Sequence, residues 1–370
     1  MLQLERREAT PAYLYVVVPA AAIVLALLFG AAFLAANGFD PWFSYTEMAK
    51  ASLATRYGIE DSLVSATPLI LTGLAAAVSF RFKLYNVGAE GQLIFGGICA
   101  AAAGLALGEH LPAPLSVAAV ALAGAGGGML WILLPAITRS RLGVNEIIST
   151  LLLNYVAVLL ARYLVLGSRS PLRDPTSTNF PQGRLMPEST FLPHLDSTPV
   201  HFGLVLGVAC AVLVFVLLRW TRVGFEARVF GDTPAAARYA GISLPRVILT
   251  ILLLSGAVAG LAGASEVAGR AHRLDPTGLA VGFGYMGIIV AALARYHPLV
   301  IVPVAFLVGG LANAANSLQT IPGMSLPSSI SAVLQGAVLI FILGAELFLT
   351  YRLVRRKHRM AHHSSEVPRE

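Results

Sequence analysis

The sequence predicts an all-α polytopic membrane protein of about ten transmembrane helices, organised as an inverted repeat with broken helices. Three observations carry this reading. Of 370 residues, 56% are apolar and only 12% are charged, about half the charge of a soluble domain. The apolar residues gather in runs near the roughly 20-residue length that spans a hydrocarbon core. Between two such runs lies Asn86-Val87-Gly88-Ala89-Glu90-Gly91-Gln92. A carboxylate and two amides at that depth are costly against lipid and belong on a cavity or a partner. Glycines beside them let the backbone leave the helix, which is tolerable only where protein or a water-filled path covers it.

The first run, about 13–36, follows Arg6 and Arg7 and precedes small residues, as a secretory signal does. It is longer than a typical h-region and is read as an uncleaved span. The remaining spans are about 61–80, 89–108, 114–137, 146–166, 201–219, 247–268, 281–295, 298–317 and 329–350. The third and eighth carry glycine and polar interruptions. Gly124, Gly128, Gly256 and Gly260 suit close helix packing.

Basic residues orient the spans. With both termini cytoplasmic, eighteen of the 26 Lys and Arg fall inside, as the positive-inside rule favours. The chain then divides into a cytoplasmic N-terminus (1–12), a transmembrane domain (13–350) and a basic cytoplasmic tail (351–370). An external loop at 167–200, rich in Pro, Ser and Thr, forms an irregular cap. The cytoplasmic loop at 219–246 differs in character: Asp232 or Thr233 caps a helix, Pro234 takes its first position, Ala235 to Ala240 form it and Gly241 stops it.

Two stretches resemble each other. Thr72-Gly-Leu-Ala-Ala-Ala precedes the run at 86–92, and Ser255-Gly-Ala-Val-Ala-Gly precedes a second break, Gly282-Phe-Gly-Tyr-Met-Gly-Ile. The units begin on opposite sides of the membrane, the arrangement of inverted repeats whose paired interruptions flank a transport path.

Few functions other than transport fit. Cys99 and Cys210 both lie in apolar segments, and the eight histidines lack metal-ligand spacing. No nucleophile, base or metal set is clustered, so no catalytic residue, metal or nucleic-acid partner is expected. A phosphate-binding loop needs a lysine after a glycine-rich turn. The three lysines, Lys50, Lys83 and Lys357, follow none.

Several phrases together resemble the inner-membrane permease subunits of bacterial ABC importers in the branched-chain amino acid, ribose and nucleoside group, with the nucleoside (basic-membrane-protein-type) branch nearest. They are Tyr85-Asn-Val-Gly-Ala-Glu-Gly-Gln, Gly143-Val-Asn-Glu-Ile-Ile-Ser-Thr-Leu-Leu-Leu-Asn-Tyr, the loop from Arg228 to Ile242, Gly282-Phe-Gly-Tyr-Met-Gly-Ile and His297-Pro-Leu. The resemblance covers about 60–350, and the usual phenylalanine before the asparagine is Tyr85 here. It implies a heteromeric complex in the cytoplasmic membrane, containing a second homologous permease, ABC ATPase subunits that use the ATP, and an extracytoplasmic substrate-binding protein. This chain itself would bind no cofactor.

Asn86, Glu90, Gln92, Asn154, Phe283, Tyr285 and Asn313 are the candidate path residues. Each has a plainer reading. Glu90 also suits a helix-terminal charge or a cap on an opposing helix end. Phe283 and Tyr285 suit base stacking or packing, and Asn313 suits pore lining or interhelical hydrogen bonding. Asn145 and Glu146 read as ordinary helix-start residues, while Glu266 and Arg270 stand at pairing distance along a helix. Asp232, Thr233, Pro234, Ala236, Arg238 and Gly241 are expected to couple to the ATPase. The expected solute is a nucleoside. A sugar or amino-acid importer of the same group is the near alternative, and an ion-coupled carrier the distant one.

Overall fold

The computed structural model describes residues 2–6, 11, 13–167, 170–177, 180–319 and 327–355. Arg7, Arg169 and the tail beyond 355, with its histidines and four basic residues, lie outside the described residues.

Two compact units divide the chain. The first holds both ends. Its long helix α1 (Leu14–Ala36) touches α14 (Ser328–Thr350), where Phe29 meets Phe341 with ring centroids 6.0 Å apart. Beyond these helices, β1 (Leu2–Arg6) pairs antiparallel with β2 (Tyr351–Arg355), Leu2 opposite Arg355 and Arg6 opposite Tyr351. Once both helices have ended, Leu-Gln-Leu-Glu-Arg and Tyr-Arg-Leu-Val-Arg satisfy backbone groups by pairing with each other.

The second unit contains α2 (Pro41–Ala49) through α13 (Pro298–Ser317), with α3 (Arg56–Phe80), α4 (Ala89–Leu107), α5 (Ala113–Ile137), α6 (Glu146–Leu166) and α7 (Gly203–Trp220) in its first part. Then come α8 (Arg222–Asp232), α9 (Pro234–Tyr239), α10 (Leu244–Glu266), α11 (Pro276–Leu279) and α12 (Phe283–Leu293). Among the described residues, eight helices or helix runs are long and apolar enough to cross a membrane. Shorter apolar stretches at Ala20–Ala36 and Ala332–Ile342 match the first and tenth expected spans.

The core is the pair α3 and α10, packed side by side. Their most apolar stretches are 83% and 67% buried, against 22% for α6 and 28% for the α5 run. This ranking follows composition: Thr72-Gly-Leu-Ala-Ala-Ala and Ser255-Gly-Ala-Val-Ala-Gly present small side chains that let neighbours approach closely. Packing is exchanged between the two units of the repeat, since α3 lies against α12 and α13, and α10 against α4 and α5.

Local signals set the ends. Thr55 caps α3 by accepting from the Gly58 amide at 3.0 Å, and Asn145 caps α6 by accepting from Ile147 at 2.9 Å. The expected eighth span, 281–295, is the helix α12, and Gly282 at φ +93°, a conformation that only glycine accepts without strain, separates it from the short α11. The loop at 219–246 holds two helices where one was expected. Arg222 to Asp232 forms α8 with Thr221 at its cap, so Asp232 ends a helix and does not cap the next. Thr233 stands at the start of α9 without a side-chain cap bond, and Pro234 takes the first position. Gly241, at φ +73°, ends it as expected.

The described part of the loop at 167–200 is largely irregular. The Met186 amide donates to the His272 carbonyl at 2.9 Å, the Leu192 amide to Ala268 at 3.0 Å and the Ser189 hydroxyl to Gly108 at 2.5 Å. These bonds strap the loop across the ends of α4 and α10.

Candidate functional site

The chain leaves α3 through Lys83, in the left-handed region at φ +61°, and re-enters a helix at Ala89. The freed polar groups are satisfied by one another. The side-chain amides of Asn86 and Gln92 exchange two hydrogen bonds of 2.8 Å each, and the Asn86 Oδ1 also accepts from the Gly88 amide at 3.0 Å. Asn86 Nδ2 additionally donates to Ser255 Oγ on α10 at 2.8 Å, and Ser255 in turn donates to the Ala75 carbonyl on α3 at 2.6 Å. Asn86, Gln92 and Ser255 are buried, at 0%, 1% and 0% exposed. In this structure Asn86 and Gln92 therefore serve the break itself and line neither of the two cavities described below.

Glu90 joins this break to the second. Its Oε1 accepts from the Gly282 amide at 2.9 Å and its Oε2 from the Gly284 amide at 2.6 Å. Those amides open α12, so the carboxylate neutralises both orphan donors and the positive end of the helix dipole. Thr72 answers from α3, its hydroxyl 3.0 Å from the Phe283 carbonyl while also near the Pro68 carbonyl. Thr72 and Ser255 hold matching places in the two similar stretches, and each reaches the other stretch's break.

Asn154 ties the third wall. Its Oδ1 accepts from the Gly91 amide at 2.9 Å, and its Nδ2 donates to the Val87 carbonyl and to Tyr285 Oη, both at 3.0 Å. Glu146, 4% exposed, accepts from the Tyr85 amide at 3.1 Å and pairs with Arg139 at 3.1 Å. The helix-start reading of Glu146 thus gains a second duty, pinning the entry to the break. Glu266 and Arg270 lie 3.7 Å apart at the expected spacing.

Beside these bonds lies a cavity of about 530 Å³ bordered by Glu90, Asn154, Tyr155, Val158, Leu159, Arg162, Gly282 and Tyr285, among others. A second cavity of about 630 Å³ opens beside it between α6, α11 and the 167–200 loop, and Arg162 lines both. Three of the seven candidate path residues, Glu90, Asn154 and Tyr285, meet at the inner cavity. Phe283 contributes its backbone carbonyl to the lock, and Asn313 lies apart, donating to the Ala51 carbonyl at 2.9 Å. Sequence reasoning missed Arg162 and Tyr155. Arg162 was detectable as the one basic residue within the 146–166 span. Tyr155 had no signal, being one of two tyrosines in a largely apolar run.

The six coupling candidates sit at the tip of the α8–α9 pair, where Asp232, Thr233, Pro234, Ala236, Arg238 and Gly241 are all exposed. Ala237 is buried against the rest and fixes the helix in place.

Two helix breaks facing each other across a buried polar lock, beside a cavity within a multi-pass bundle, define the class: a membrane transport permease. The chain belongs to the family described as branched-chain amino acid transport system / permease component, which matches residues 58–343. It is 35% identical to the glucose ABC transporter permease protein of Haloferax volcanii, covering 95% of this chain and 93% of that one. It is 32% identical to the guanosine ABC transporter permease protein of Bacillus subtilis, over 89% of this chain and 93% of the relative. It is 29% identical to a nucleoside ABC transporter permease protein of Lactococcus lactis, over 88% and 90%.

Proposed function

We propose that this chain is the membrane-spanning subunit of an ATP-binding cassette importer that carries nucleosides into the cell. The observation that carries this reading is the makeup of the 530 Å³ cavity. Tyr155 and Tyr285 offer ring faces to a base, while Glu90, Asn154 and Arg162 offer hydrogen-bonding groups to a sugar. Glu90, Asn154 and Tyr285 are the residues assigned to the solute. Asn86, Gln92 and Phe283 position the breaks around it, and Asn313, away from this cavity, braces α13 through its bond to the Ala51 carbonyl. The guanosine and nucleoside relatives support the solute class. A sugar is the second reading, favoured by the glucose permease relative.

The chain works with other subunits and binds no cofactor itself. ATP is hydrolysed on a separate ATPase, which docks on the exposed tip from Asp232 to Gly241. A second permease completes the path, because α6 borders the cavity with residues that also face outward, Tyr155 and Leu159 each being 64% exposed. An extracytoplasmic binding protein delivers solute to the outer cap. The paired terminal strands bring both ends to one face, the cytoplasmic face of the cell's cytoplasmic membrane by the charge distribution.

Uptake of labelled guanosine in a strain deleted for this gene, competed with ribose, glucose and amino acids, tests the assignment. Loss of uptake on deletion, with competition by nucleosides alone, is expected. Competition by glucose alone replaces the solute, and uptake that persists without ATP replaces the importer with an ion-coupled carrier.

A further inference from the structure

At the opposite end of the bundle from the outer cap, a pocket of about 310 Å³ is lined by Arg81, Arg219, Arg228, His297, Phe215 and Leu218, with Pro298. We infer that it holds the phosphate of an anionic glycerophospholipid from the adjoining leaflet.

The pocket gathers positive charge without a counter-charge. Arg81 follows the last residue of α3, Arg219 lies in the last turn of α7 and Arg228 lies on α8, while His297 precedes the first turn of α13. No carboxylate lines it. Among the described residues none of the three arginines forms an ion pair, and the nearby Glu226 is committed to Arg222 at 2.7 Å. Arg228 donates to the Leu218 carbonyl, which aims its guanidinium across the pocket floor. The Nδ1 of His297 is buried without a hydrogen-bond partner, its ring held against Phe215 at 5.6 Å. Three guanidiniums around a concave site favour a phosphate, whose oxygens accept from each planar fork.

Position selects the lipid as the source of that phosphate. The pocket lies where two apolar spans end and a third begins, the depth of a head group. Below it runs an exposed apolar surface, with Leu213 63%, Val300 42% and Leu299 38% exposed, suited to acyl chains. Trp220, 71% exposed beside Arg219, marks the interface. Basic pockets between spans on the cytoplasmic side are sites of this kind. The proposal requires only a membrane-embedded chain and stands whatever solute is carried.

The test uses the full chain purified in detergent, with native mass spectrometry reading the binding of phosphatidylglycerol, phosphatidylcholine or inorganic phosphate. Phosphatidylglycerol is expected to bind about tenfold tighter than phosphatidylcholine, and each arginine removed is expected to cost about fivefold. The Arg81→Gln/Arg219→Gln double variant should therefore lose the preference, while Arg222→Gln should keep it. Should the double variant fail to fold, Arg81→Lys/Arg219→Lys, which keeps charge but loses the fork, is expected to weaken it several-fold. An unchanged preference in either folded double variant overturns the proposal. So does inorganic phosphate binding without any lipid preference, which would mark a free-anion site. Loss of ATPase co-purification with lipid preference intact would assign the arginines to an acidic protein surface instead.

Discussion

Glu90 on α4 and Gly284 on α12 are joined at 2.6 Å through a carboxylate and a backbone amide, with Gly282 added at 2.9 Å. Nearly two hundred residues of sequence separate the partners, so this contact holds the two broken segments together. Removing the charge removes two charge-assisted hydrogen bonds, each worth about 1.5–3 kcal/mol. Glu90→Gln is expected to lower thermal stability by about 2 kcal/mol, since an amide offers one acceptor to two donors and its NH₂ group opposes an N–H. Glu90→Ala is expected to lower it further and to abolish uptake. Thermal denaturation of the purified variants beside transport assays in vesicles measures both.

The bond between Asn86 and Ser255 tests whether the two units act as one lock. Ser255→Ala removes one of several bonds to Asn86 and is expected to cost about 1 kcal/mol. Asn86→Ala strands Gln92 in a buried site and is expected to cost about 3 kcal/mol. Because the residues share a network, the double variant should cost less than the sum by at least about 0.5 kcal/mol. Additive effects in the thermal cycle would show that the two breaks are held independently.

Much of this architecture was legible in composition. The spans were readable because apolar length is a strong constraint in lipid, and the break at 86–92 because polar groups beside glycine stand out against it. The reciprocal contacts were not readable. Thr72 and Ser255 are small hydroxyls within alanine-rich runs, and nothing local says that each faces the other unit. The same limit hid the function of Glu90. Its chemistry allowed a cap on an opposing helix, but only the approach of Gly282 and Gly284 selects that role and places the carboxylate at the cavity rim as well. The short α11 escaped notice because Pro276 to Leu279 is too brief to show a helical period, whereas the break at Gly282 was legible in its glycines. The terminal strands escaped notice because each satisfies its backbone only through a partner at the far end of the chain.

The tip from Asp232 to Gly241 gives a prediction that separates transport from ATP hydrolysis. Ala236 is exposed and Gly241 stands at φ +73°. Ala236→Trp enlarges the face proposed to dock the ATPase without touching the buried Ala237 and is expected to leave the permease folded. Gly241→Val forces a branched side chain into the left-handed region at a cost of about 1–2 kcal/mol and re-aims the loop. Reconstituted with its ATPase, the Ala236→Trp complex should retain basal hydrolysis and lose solute-stimulated hydrolysis at least about tenfold, a loss of about 1.4 kcal/mol of coupling. Equal stimulation in wild type and variant would place the docking surface elsewhere.

The loop at 167–200 supplies a pH dependence where it meets His272. His272 stacks on Phe191 with centroids 3.8 Å apart, sets its Nδ1 3.1 Å from the Ala268 carbonyl, and accepts the Met186 amide at its own carbonyl. Burial, followed by the charges of His194 and Arg273, holds its imidazole below the usual 6.5, with the Ala268 hydrogen bond opposing. A histidine whose pKa falls on folding is neutral in the folded chain while the unfolded chain takes up protons through 6.5, so stability is highest above that value and declines as pH falls below it. The loss levels off once pH passes beneath the folded pKa. Hydrogen exchange at the Met186 and Leu192 amides, which strap the loop to the bundle, should therefore quicken between neutral and mildly acid pH once corrected for intrinsic rates. His272→Gln is expected to flatten that dependence and to raise exchange at neutral pH, because the stacking on Phe191 is lost. A profile as steep in the variant as in the wild type would move the titrating group away from His272.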